Sequence, residues 1–78
     1  MTLIEAGKKS GDLLEITAFH GHALYQDRLH EMGLRIGSRI VIVGHAPFGG
    51  PVLIRYNESF LALRREEAQC LEVKRSHL

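Results

Sequence analysis

Asp27-Arg28-Leu29-His30-Glu31-Met32-Gly33-Leu34-Arg35-Ile36-Gly37 reads as the end of a short helix, a glycine stop and the approach to a strand. Nothing from Ala23 to Met32 breaks a helix. At about 100° per residue, Leu24, Tyr25, Arg28, Leu29 and Met32 share one side, and Ala23, Gln26, Asp27, His30 and Glu31 the other. Gly33 stands where a helix ends in a left-handed residue, and Leu34 follows where the chain folds back on the last turn. Ile36-Gly37 makes a second turn before a β-branched run. This segment therefore hands one helix to one sheet. Arg28 interrupts the apolar side. A guanidinium there must reach a carboxylate, backbone carbonyls or water. Tying the helix to a neighbouring loop is its first reading, and contacting a partner its second.

Working outward, Leu13 to Phe19 alternates as a strand, with Leu14, Ile16 and Ala18 facing one way and Leu13, Glu15, Thr17 and Phe19 the other. His20-Gly21-His22 leads into the helix. No Ser, Thr, Asp or Asn stands at the helix start, which predicts a weak N-cap. Thr2 to Gly11 reads as irregular, with Leu3 and Ile4 docking on the core and Gly7 to Gly11 a turn-rich linker. Ile40-Val41-Ile42-Val43 predicts a strand over Arg39 to Gly44 buried on both faces or lying at a crossing of two sheets. Pro47-Phe48-Gly49-Gly50-Pro51 is a turn, Val52 to Tyr56 the next strand, and Asn57-Glu58 a tight connection. Phe60 to Leu63 is a further strand, Arg64 to Gln69 about one helical turn, and Leu71 to Lys74 the last strand. Residues 75–78 are expected to be a mobile tail. The expected fold class is mainly β: about five strands and one helix, closing most readily as a small, strongly bent barrel.

Seventy-eight residues predict a single domain, and 45% apolar content supports one core. A chain this short buries only about 60% of its unfolded surface, so stability of a few kcal/mol is expected. Ten Lys/Arg against nine Asp/Glu give a net charge of +1, without the basic excess of a nucleic-acid binder. Arg64-Arg65 and Lys74-Arg75 read as solvated charges. The lone Cys70, a start without a basic-then-apolar leader and the absence of a long apolar run fit a reducing, cytoplasmic setting.

Five histidines raise the question of a metal. No Cys-x-x-Cys or His-Glu-x-x-His spacing is present, so no metal site or cofactor is expected beyond adventitious binding at His20 and His22. His30 is placed on the solvent side of the helix near Asp27 and Glu31. Ser38 and Ser59 lack an adjacent base, and Gly49-Gly50 lacks the Lys-Ser/Thr of a phosphate loop, so catalysis is not expected. Binding is left, with Phe48 at the turn tip and Phe19 or Tyr25 as surfaces a partner could use.

Leu3 to Gly11, Arg28-Leu29-x-Glu31-Met32-Gly33-Leu34-x-x-Gly37, Pro47-x-Gly49-Gly50-Pro51, and Phe60-Leu61-Ala62-Leu63-Arg64 with Glu67-Ala68 and Leu71-x-Val73 follow in this order. In that order the chain resembles the FeoA family, the small cytosolic partner of the FeoB ferrous-iron transporter. Ile36 and Asn57 depart from it, at positions where the family often has proline and glycine. The resemblance implies an SH3-like barrel with an inserted helix, in which Leu29, Gly33, Leu34, Gly37, Gly49, Gly50 and Pro51 are the structural signature. It implies a non-enzymatic accessory of Fe²⁺ uptake, at the inner face of the membrane through its transporter. The partner would be the cytoplasmic GTP-binding domain or the membrane portion of FeoB. Tyr25, Arg28, Phe48 and Arg64 are the candidate contacts. An alternative is a free-standing SH3-like module related to the C-terminal domain of iron-dependent repressors. A small RNA-binding barrel is a third reading, disfavoured by the near-neutral charge.

Overall fold

The computed structural model describes residues 1–6 and 11–76. Its elements are α1 (Leu3–Ala6), β1 (Leu13–Phe19), α2 (Ala23–Glu31), β2 (Arg39–His45), β3 (Val52–Tyr56), β4 (Ser59–Leu63), α3 (Arg65–Ala68) and β5 (Leu71–Arg75). The five strands form one antiparallel sheet in the order β4-β3-β2-β1-β5. Register shifts near Thr17 in β1 and Val43 in β2 mark bulges, which bend strands and increase their twist. The fold is SH3-like with α2 inserted between β1 and β2. The ladder itself stays open: β4 and β5 are its two edges, and α3 carries the chain from one to the other.

Alternation explains the core. Leu14 and Ile16, Ile40 and Ile42, Val52 and Ile54, and Leu71 and Val73 are buried on the concave face, with Leu3, Leu29, Leu34, Leu63, Ala68 and Cys70 closing over it. Each large aliphatic side chain buried this way contributes roughly 1.5–3 kcal/mol. β2 is not buried on both faces: Val41 is half-buried and Val43 is 41% exposed. A β-branched run favours extended backbone whichever face is wet, so it does not report two-sided burial.

The helix ends as its sequence predicts. Gly33, at φ 95°, leaves the Gly33 N–H on the His30 carbonyl at 2.9 Å and the Leu34 N–H on the Leu29 carbonyl at 3.2 Å. Leu29 and Leu34 are both buried, the hydrophobic pairing that accompanies this stop. Arg35 Nη1 adds bonds to the His30 and Leu34 carbonyls at 2.8 and 2.7 Å.

Other expectations are corrected. The α2 start is capped after all: the His22 Nδ1 accepts from the Leu24 N–H at 3.0 Å. Leu24 is 58% exposed rather than packed inward, and His30 is half-buried with its ring centroid 4.3 Å from that of Phe19. Residues 3–6 are helical, closed by Thr2 Oγ1 accepting from the Glu5 N–H and Glu5 Oε1 from the Thr2 N–H. Arg75, expected in a mobile tail, pairs with Leu14, and the Ser76 N–H donates to the Leu13 carbonyl. His77 and Leu78, and the expected linker residues Gly7 to Ser10, lie outside the described residues. Asn57 takes φ 57°, which suits asparagine as well as the glycine common there in the family.

Candidate functional site

The β2–β3 hairpin sets a fully exposed aromatic, Phe48, on its tip. The Ala46 N–H donates to the Pro51 carbonyl at 2.9 Å, and the Gly50 N–H to Pro47 at 3.3 Å. Phe48 at φ 60° and Gly49 at φ 74° are both left-handed, as in a type I′ turn. A bulky residue in that conformation is strained by about 1–2 kcal/mol, and the Phe48 side chain is fully exposed. A Cβ on Gly50 would lie 2.6 Å from Ala46 Cβ, so only glycine lets the two arms of the loop approach.

Below Phe48 lies an open groove of about 310 Å³, floored by Ile4, Ala46, Pro47 and Val52 and flanked by His45 and Arg65. Arg65, the first residue of α3, runs over the turn, with its Cδ and Nη1 both 3.7 Å from where a Gly49 Cβ would stand. A shallower depression of about 190 Å³ on the same hairpin is lined by Pro51, Arg64, Arg65 and Glu66. Among the described residues neither Arg64 nor Arg65 forms an ion pair. The groove thus offers an apolar floor, an aromatic rim and uncompensated positive charge. This suits a partner segment with an apolar side chain beside a carboxylate.

Glu67 anchors α3 from behind. Its side chain is buried, its Oε1 accepts from the Arg64 N–H at 2.9 Å, and its Oε2 lies 3.1 Å from the Arg28 Nε. Arg28 does tie α2 to a neighbour, and that neighbour is α3 rather than a loop. The structure brings Phe48 and Arg64 to one region and holds Arg28 behind it through Glu67. Tyr25 stays apart on α2, half-buried, with its ring edge-on to His22 at 6.0 Å. Sequence reasoning missed Arg65, Ile4 and His45. The Arg64-Arg65 doublet was the available signal, read there as plain solvated charge.

Among the described residues His20 and His22 are engaged individually. His20 Nε2 lies 3.3 Å from Glu72 Oε1, whose Oε2 meets the Met1 amino group at 3.0 Å. His22 spends Nδ1 on the helix cap. Among the described residues no three His, Cys, Asp or Glu side chains gather to hold a metal ion. Ser38 Oγ accepts from the Arg35 N–H, and Ser59 lies exposed on β4.

Cys70 sits under Gly21 and donates its S–H to the Glu66 carbonyl at 3.3 Å. Burial pushes the thiol pKa above its usual range, the His22 backbone N–H opposes this, and the Glu67 charge adds to it. Folding thus favours the neutral thiol. Its contribution to stability is complete below the ordinary thiol pKa and is lost as pH rises beyond it. Alkylation of native protein by iodoacetamide should be much slower than that of protein in denaturant at the same pH, as followed by mass spectrometry.

Residues 1–75 match the FeoA domain family. The chain belongs to the FeoA family. It is 35% identical over 65 residues to the Fe(2+) transport protein A/Fe(2+) transporter FeoB fusion protein of Porphyromonas gingivalis. That match takes in 83% of this chain but spans only 8% of the relative's length. The solution structure of FeoA from Chlorobium tepidum superposes with a TM-score of 0.81 at 32% identity, covering 96% of this chain and 70% of that one. The manganese regulator SloR shares the fold over 97% of this chain and 34% of its own, with a TM-score of 0.82 at 14% identity. The FeoA family is that of a small component of ferrous-iron transport. No helix among the described residues is long and apolar enough to cross a membrane.

Proposed function

We propose that this FeoA-family chain is a non-enzymatic accessory of Fe²⁺ uptake. It docks on the cytoplasmic part of a FeoB transporter through the Phe48 hairpin and the groove beside Arg65. The observation that carries the reading is the strained, fully exposed Phe48 above that groove. Strain kept at an exposed apolar side chain is a feature of binding surfaces more than of folding. The FeoA–FeoB fusion of Porphyromonas gingivalis, in which the two parts share one polypeptide, supports FeoB as the partner. Arg64 joins the contact from the second depression, Arg28 holds α3 in place from behind, and Tyr25, apart on α2, lies outside this surface. Docking shifts the transporter only if the chain binds one of its states more tightly than another. A second reading is a free-standing SH3-like protein-interaction module; the manganese regulator SloR carries the same fold.

Phe48→Gly separates binding from folding. Glycine relieves the left-handed strain and gives back part of that gain in backbone entropy, so stability should stay within about 1 kcal/mol of the parent. Fe²⁺ uptake by cells carrying the transporter with this variant should fall toward that of cells lacking the chain. Uptake equal to that with the parent chain removes the hairpin from the interface.

A further inference from the structure

The two edges of the sheet are treated differently. On β5 the outer side is occupied by the N-terminus: Thr2 bridges Glu72, and the Val73 N–H donates to the Met1 carbonyl at 2.8 Å. β5 also carries Glu72, Lys74 and Arg75, charges that discourage a further strand. β4, Ser-Phe-Leu-Ala-Leu, has no charge and no proline, and among the described residues no backbone hydrogen bond reaches its outer side. The two-residue loop Asn57-Glu58 makes Tyr56 and Ser59 a hydrogen-bonded pair with β3, and Ile54–Leu61 and Val52–Leu63 follow in alternation. The N–H and C=O groups of Phe60 and Ala62 therefore point away from the sheet. Phe60 is 62% exposed beside exposed Ala62, on the same outer face as Leu53 and Val43.

We infer that the β4 edge is a self-association surface, and that its occupant is β4 of a second copy, antiparallel about a twofold axis through Leu61. In this register Phe60 faces the partner's Ala62, and each such pair exchanges both its N–H···O bonds. Large meets small on the outer face, and Leu61 meets its own copy. The same axis sets Glu58 opposite the partner's Arg64 at both ends of the strand. Glu58 and Arg64 are exposed, and neither has an ion-pair partner within its own chain among the described residues. This charge match is what selects a second copy over an unrelated strand. A single strand pair covers less than the roughly 1,000 Å² of a stable interface, so the dimer is weak and forms at high local concentration, as when several chains gather on one assembly.

Sedimentation equilibrium of the full chain between about 10 µM and about 1 mM reads the association directly. Amide shifts on dilution locate it. The expected result is a reversible dimer in which the Phe60 and Ala62 amides move and those of β5 do not. Arg64→Glu or Glu58→Arg alone should weaken it roughly tenfold by setting like charges opposite one another. The double swap should restore it to within about twofold, which a variant that merely misfolds would not do. A monomer at every concentration overturns the proposal. So does a dimer insensitive to both reversals, or one whose shifts map elsewhere.

Discussion

Gly21→Ala is expected to destabilise the fold by about 2–3 kcal/mol in urea denaturation. Two costs combine. Gly21 holds φ 87°, where an L side chain is strained by about 1 kcal/mol. An added Cβ would also stand 2.8 Å from Cys70 Sγ, closer than any ordinary contact. Cys70 is buried under the His20-Gly21-His22 link and has little room to turn. The test is a double-mutant cycle. With Cys70→Ala in the background, Gly21→Ala should cost only its backbone part, a coupling of about 1 kcal/mol. Costs that simply add would show that the sulfur yields freely and that backbone strain alone accounts for the loss.

Arg28→Ala should cost about 2 kcal/mol although Arg28 side-chain exposure is 44%. The loss arises at the other end, where the Glu67 carboxylate is only 2% exposed and loses the charge facing its Oε2. Breaking a buried pair costs about 3–5 kcal/mol when both partners are buried, and solvent access to Arg28 reduces that figure. Glu67→Gln in the Arg28→Ala background should recover part of the loss, because a neutral amide is cheaper to bury unpaired and its oxygen still accepts from the Arg64 N–H. Chemical denaturation of the four proteins checks this. A recovery at or below zero would mean that Arg28 acts through packing of its stem. α3 also carries Arg65, so Arg28→Ala should loosen the groove wall without touching it.

The framework was legible because its signals are local. β1 and β5 showed alternation, β2 a β-branched run, the hairpin tip its Gly/Pro content, and the α2 stop its Gly33-Leu34 pair. α1 escaped because four residues show no periodicity, although Thr2-x-x-Glu5 has the spacing of a capping box. The His22 cap escaped because histidine is not among the usual capping residues, and Leu24 was misplaced because, five residues before buried Leu29, it stands about 140° around the helix from it, at the edge of the apolar side. In the site, Phe48 could be found from its turn. The Arg28–Glu67 pair could not, since no sequence pattern joins residues so far apart. Arg65 was hidden in a basic doublet whose two side chains leave the chain in different settings: one next to Pro51, the other across Gly49. The open edge at β4 follows from strand order, which short strands of similar pattern do not specify.

Docking on FeoB is read by calorimetric titration of the chain into the isolated cytosolic domain of its cognate FeoB, with and without a non-hydrolysable GTP analogue. The expected result is binding in the micromolar range, between about 1 and 100 µM, weakened at least about tenfold by Phe48→Gly. Affinity that changes with nucleotide would identify a regulator sensing the GTPase state, and unchanged affinity a structural role. No binding in either condition, or equal binding by Phe48→Gly, would contradict docking through the hairpin on that domain.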